Sequence, residues 1–148
     1  NFILDGFVPP IPMSYSYEKD SVYLSSRFGA PLSVSSEISP DRFEPGVQNE
    51  IKNVIFNGAT VRMVTPLTKQ KRTTWIEYIS LTSSRFSLKY GLKVGSSKRE
   101  FLKNLGKPRE ALDNIFKYQT FGEGYKTLLI EFDNSSKARK ITWEYYTD

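Results

Sequence analysis

The spacing of apolar and polar positions along this 148-residue chain changes character several times, and each change predicts an element. DSVYLSSRFGAP sets Val22, Leu24 and Phe28 ahead of Gly29 and Pro31, the pattern of one short helix closed by glycine and stopped by proline. LSVSSEISPDRFEPG (32–46) is dense in turn residues and predicts a loop. From Asn53 the runs NVIFNG, ATVRMVT and TTWIEYISLT are β-branched and aromatic, broken by Asn57-Gly58 and by PLTKQKR. They predict antiparallel strands with a hairpin at the Asn-Gly.

The second half repeats the order. LKVGSSKREFLKNLGKP (92–108) leads into NIFKYQTF, a turn at Gly122 to Gly124, TLLIEF, the turn DNSSKAR, and KITWEYY. Period-two alternation groups Leu128, Ile130 and Phe132 on one strand face and Leu129 and Glu131 on the other. It likewise groups Ile141, Trp143 and Tyr145 against Thr142, Glu144 and Tyr146. The first set of each is expected in the core under the helices, and Leu129 with Tyr146 is expected outward as an apolar contact pair.

The segment 92–108 poses a choice between a phosphate-cradling loop and a helix. A phosphate loop needs glycines closely spaced ahead of a Gly-Lys-Ser/Thr sequence, which this stretch lacks. The helix accounts for more residues. Ser97 and Glu100 have capping-box spacing, Phe101, Leu102 and Leu105 form the apolar stripe, Gly106 takes a left-handed C′ position, and Pro108 prevents continuation. Lys98 and Arg99 fall in the first turn, where the helix dipole disfavours cations, and read as a solvated face.

Two ungapped matches argue for internal duplication. FGAP (28–31) corresponds to LGKP (105–108), and KQKRTTW (69–75) to KARKITW (137–143), which sets Trp75 against Trp143, both tryptophans of the protein. The offsets differ, so the first half carries the longer insertion, which 32–46 supplies. The expected organisation is an extended, proline-bearing arm over 1–19, a first α+β repeat over 20–90 and a second over 91–148, within one compact domain. The fold class is α+β, a tandem repeat of short helices packed on an antiparallel sheet.

Composition narrows the chemistry. Hydrophobic residues are 39%, aromatics 14% and charged residues 25%, the balance of a folded, aromatic-rich domain. There is no cysteine and no histidine, which excludes disulfides, thiolate chemistry, imidazole ligands and every Ser-His or Cys-His arrangement. Neither a metal nor a cofactor is expected. The net charge of +5 favours an anionic partner, with plain solubility as the alternative. No apolar run is long enough to span a bilayer, and the start at Asn1 without Met is expected of a chain whose targeting segment has been removed.

Candidate chemistry is sparse. Ser16 and Lys19 form S-x-x-K without the companion S-D-N and K-T-G elements, a coincidence. Glu131 and Asp133 share a strand face, but Asp133 begins a turn and reads as a turn aspartate. The paired basic turns are better candidates. Lys69, Lys71 and Arg72 in one, with Lys137, Arg139 and Lys140 in the other, are expected to project from equivalent hairpins and steer an acidic partner. Surface lysines kept for solubility are the competing reading.

GLKVGSSKREFLKNLGKP followed by KYQTFGEGYKTLLIEFDNSSKARKITWEY resembles the G-x-s-x-x-E-v-x-x-x-L-G-x-P helix and three-strand unit of the SmpA/OmlA-like envelope lipoproteins and the β-lactamase inhibitor proteins. The good match covers about residues 91–146; the first half matches through FGAP and its strands. The resemblance implies short helices on an antiparallel sheet, present twice as in the inhibitors. It also implies a non-enzymatic, protein-binding role of inhibitor or assembly-accessory type in the bacterial envelope or secreted space. The lipid-bearing cysteine of the lipoproteins is absent from this sequence, so an anchor, if used, lies on a segment outside it. The alternative is an anionic-ligand binder, for nucleic acid or lipid head groups, with Tyr118 and Tyr125 beside Lys117 and Lys126 as stacking platforms.

Overall fold

The computed structural model describes residues 17–69, 74–119 and 126–145. The N-terminal arm up to residue 16, Lys71, Arg72, Tyr125, Tyr146 and the Gly122–Gly124 turn lie outside the described residues. Among the described residues, eight strands hydrogen-bond in the order β1-β2-β3-β4-β8-β7-β6-β5 in one antiparallel sheet, accompanied by two short α-helices. Of the described residues, 17–78 fall in one compact unit and 79–145 in the other. The division lies within β4 (Trp75–Leu81).

In the N-terminal unit, α1 (Tyr17–Phe28) ends as the sequence predicts. Gly29 adopts φ 88°, and its N–H donates to the Ser25 carbonyl at 2.9 Å. Leu24 and Phe28 are buried, whereas Val22 is 71% exposed and belongs to the solvent side. Phe28 meets the Phe56 ring at 5.3 Å between centroids. This contact seats α1 on the sheet face that carries Val54, Val61 and Met63, all buried. β2 (Gln48–Phe56) starts before the Asn53 at which its apolar run becomes visible, and it turns at Asn57-Gly58 into β3 (Ala59–Leu67), with Phe56 opposite Ala59.

The expected loop over 32–46 is a strand for half its length. β1 (Ser33–Pro40) pairs antiparallel with β2 from Ser33↔Ile55 to Pro40↔Gln48. Its side chains bury nothing: seven positions are exposed and Ser39 is half-buried. Backbone pairing alone makes this strand, so the pattern of apolar residues carried no trace of it. The turn that follows is as expected. Asp41 Oδ1 accepts from the N–H groups of Phe43 and Glu44 at 2.8 and 2.7 Å, and its Oδ2 accepts from Asn49 Nδ2 at 2.9 Å.

In the C-terminal unit, α2 (Lys98–Leu105) precedes β5 (Glu110–Leu112), β6 (Ile115–Gln119), β7 (Lys126–Phe132) and β8 (Ala138–Tyr145). The three-residue β5 is too short to leave a periodic signal. The core is aromatic: Phe132 stacks edge-on with Phe101 of α2 at 5.7 Å and with Phe116 of β6 at 4.8 Å. Leu128, Ile130, Ile141 and Trp143 are buried beside them, on the strand faces that alternation assigned, and Tyr145 is half-buried. On the opposite face the Ser80 and Thr142 hydroxyls bond at 3.1 Å, buried, between β4 and β8.

The two tryptophans do not sit alike. Trp143 is the buried sixth residue of β8, whereas Trp75 is the half-buried first residue of β4. The expected apolar stripe of α2 also narrows to the buried Phe101 and the half-buried Leu105, because Leu102 is 44% exposed.

Candidate binding surface

The loop before α2 is tied to the β7–β8 turn by backbone. Gly95 N–H donates to the Ala138 carbonyl at 2.7 Å, Ala138 N–H to Ser96 at 2.8 Å, and Lys98 N–H to Ser136 at 3.0 Å. The turn holds its own shape through Asp133, whose Oδ1 accepts from the N–H groups of Ser135 and Lys137 at 2.8 and 3.1 Å. Asp133 is therefore the turn aspartate its sequence context implied. α2 starts with a complete capping box: Glu100 N–H donates to Ser97 Oγ at 3.2 Å, and Ser97 N–H donates to Glu100 Oε2 at 2.8 Å. Gly106 ends the helix at φ 77°, ψ −164°. This is not the left-handed helical geometry expected, but a region essentially reserved for glycine.

These ties place Lys137 beside the first turn of α2, whose flank is rich in positive charge. Residues 93–107 hold five cations, Lys93, Lys98, Arg99, Lys103 and Lys107, and one acidic residue, Glu100. Glu100 is engaged in the cap. Among the described residues, none of the five, nor Lys137, has a carboxylate within ion-pair distance. Arg99 and Lys103 are four apart on the exposed side of the helix, where like charges cost about 0.2–0.5 kcal/mol. Lys98 is the exception to a solvated face. Its Nζ lies 5.3 Å from the Phe132 ring centroid and 5.9 Å from that of Phe116, capping the aromatic core with charge.

The sequence-predicted contact residues are distributed differently from expectation. Lys137 projects from the β7–β8 turn, but Arg139 and Lys140 lie within β8 and meet Glu131 at 3.8 and 4.0 Å, so their charge is partly offset. Lys69 is exposed just after β3. Leu129 faces away from the aromatic core as alternation requires, yet it is half-buried, and Thr127, Thr142 and Ser80 on that face are buried too. That part of the face is not open surface. Sequence reasoning passed over Lys93, Lys103 and Lys107. Their signal, a run of cations without interspersed acids, was present, but helix caps gave the segment a sufficient structural explanation.

Tyr118, a suggested stacking platform, is half-buried. Its hydroxyl donates to the Gly106 carbonyl at 3.0 Å and its ring packs edge-on against Phe116. Burial pushes its pKa up from 10.0 to about 12. Among the described residues there is no group of three or more acidic side chains placed to hold a metal ion, and no helix is long and apolar enough to cross a membrane. No family model, curated protein or solved structure matches this chain.

Proposed function

We propose that the chain is a non-enzymatic protein-binding module of the bacterial envelope or secreted space, of inhibitor or assembly-accessory type. On this reading it receives an acidic protein partner on the surface formed by α2 and Lys137. The carrying observation is the set of six cations, Lys93, Lys98, Arg99, Lys103 and Lys107 on and around α2 and Lys137 on the turn tied to it, none with an ion-pair partner among the described residues. Solubility is served by mixed charges. A like-charged Arg99–Lys103 pair on one helix face works against the helix, and an acidic surface laid on it removes that repulsion.

The compartment and the inhibitor-like architecture rest on the resemblance of 91–146 to the envelope lipoproteins and β-lactamase inhibitor proteins. The tandem-repeat reading has support in the element order, a helix followed by four strands in each half. The longer insertion of the first half matches the eight-residue β1 standing where the second half has the three-residue β5.

The alternative, an anionic-ligand binder for nucleic acid or lipid head groups, rests on the same cations. The commitment of Tyr118 to Gly106 and Phe116 removes one of its stacking platforms and favours the protein partner. Cross-linking capture from a bacterial envelope extract, with the native chain and with R99E/K103E/K107E, tests the proposal. A saturable protein partner lost on charge reversal is the expected result. No such partner, together with steeply salt-dependent binding to an oligonucleotide or to anionic vesicles, would overturn it in favour of the alternative.

A further inference from the structure

β1 ends the strand order on one side and β5 on the other, and the two edges are not alike. β5 has three residues, too short to template another strand. β1 has eight, with seven exposed. Its backbone polarity follows from the register. Asp41 N–H donates to the Val47 carbonyl at 2.8 Å, in line with the pairs Ser39↔Asn49 through Ser33↔Ile55. In an antiparallel ladder the inward-facing groups recur at every second residue. Ser33, Ser35, Glu37 and Ser39 therefore direct their N–H and C=O groups to β2, while Val34, Ser36 and Ile38 present theirs to the edge that no other described strand covers.

Edge strands are normally guarded by lysine, by a bulge or by charge. β1 has no lysine, and its pairing runs without a register shift. Its one charge, Glu37, lies 4.0 Å from Arg62. Val34 and Ile38, two of the three edge-facing residues, are 44% and 53% exposed.

We propose that β1 pairs antiparallel with β1 of a second copy of this chain, with the two Ser36 residues opposite one another on the two-fold axis. In this register Val34 faces the partner's Ile38 and Ile38 faces the partner's Val34, an isologous pair of apolar cross-strand contacts. Glu37 faces the partner's Ser35, so no like charges are opposed. Moving the axis by one residue, which changes the register by two, sets Glu37 against itself in one direction and serine against Val34 in the other. The strand is complementary to itself, which a foreign peptide would have to match by its own sequence. A second copy is thus the occupant that the residues specify.

The test is the oligomeric state of the full chain by sedimentation equilibrium, for the native protein, S36P and I38K. Ser36 N–H points away from β2, so proline there leaves the ladder intact, and an unchanged circular dichroism spectrum verifies the fold. The native chain is expected to dimerise with rising concentration, and each substitution to raise the dissociation constant about tenfold or more. The sequence lacks cysteine, so S36C introduces a single thiol at the axis. Paired Cα atoms there are about 5.5 Å apart, within disulfide reach, and S36C is expected to cross-link far faster than the exposed control S84C. A native chain that stays monomeric from micromolar to near-millimolar concentration overturns the proposal. So does a dimer that survives both substitutions, or S36C cross-linking no faster than S84C.

Discussion

Ser97 and Lys137 face each other in an isolated antiparallel bridge, so the N-cap of α2 and the β7–β8 turn form one hydrogen-bonded unit. The cap residue serves two elements at once. Ser97→Ala removes the hydroxyl acceptor for Glu100 N–H and is expected to cost about 1 kcal/mol. Ser97→Gly, which can refill the site with water, is expected to cost only a few tenths. Urea unfolding of the two variants against the native chain checks this; no loss in either variant would show that the capping hydroxyl contributes nothing.

Lys98 and Arg99 stand in the same first turn and bear the same unfavourable relation to the helix dipole, yet only Lys98 reaches aromatic rings. In a K103Q background, which removes the like-charged neighbour of Arg99, neutralising either relieves the dipole equally, so the difference between K98Q and R99Q isolates the ring contact. K98Q is expected to be less stable than R99Q by about 0.5–1 kcal/mol, measured by the same unfolding experiment.

The helix itself was legible in the sequence because its instructions are local: Ser97, Glu100, Gly106 and Pro108 each act within a turn of their own position. The strand faces were legible for a similar reason, since alternation through Leu128, Ile130 and Phe132 needs no knowledge of the partner strand. β1 was not legible, because nothing in SVSSEISP is buried and its pairing is decided by β2, across a turn. The role of Lys98 was hidden for the converse reason. Its ring partners, Phe116 and Phe132, come from strands that only the folded chain brings under the helix. Glu131 took Arg139 and Lys140 out of the free-charge set in the same way, moving the candidate surface from the hairpins to α2.

Tyr118 stays protonated in the folded protein to a pKa of about 12, against 10.0 for an ordinary phenol. A raised folded-state pKa means that the stabilisation is complete below pH 10 and is lost as pH climbs from about 10 to about 12. Y118F is expected to lose less stability than the native protein across that interval. Its absorbance titration at the phenolate band is expected to lack a step near pH 12 that the native curve shows. A native-minus-Y118F difference that titrates near pH 10 would contradict the burial of the hydroxyl against Gly106.

Asp41 accepts three hydrogen bonds, two from its own turn and one from the largely buried Asn49. Asp41→Ala strips the turn of its acceptor and leaves the Asn49 amide without this partner, a loss of about 1–3 kcal/mol. The double variant D41A/N49A is expected to be less destabilised than the sum of the singles, because the orphaned amide is gone. Strict additivity in thermal or chemical unfolding would show that the two side chains are not coupled.

The hydroxyl contact of Ser80 with Thr142 joins residues 62 apart in sequence, whereas the other described strand pairings of the C-terminal unit are between consecutive strands. Closing so long a segment costs about 2 kcal/mol more than closing a tight hairpin, since each doubling of loop length adds about 0.6 kcal/mol. The joining of β4 to β8 is therefore the entropically dearest step in forming this sheet. It happens where two buried hydroxyls satisfy each other in only one alignment. A chain that slipped by a residue at this seam would bury both without partners, so the pair works as a proofreading contact for the most distant encounter the unit has to make.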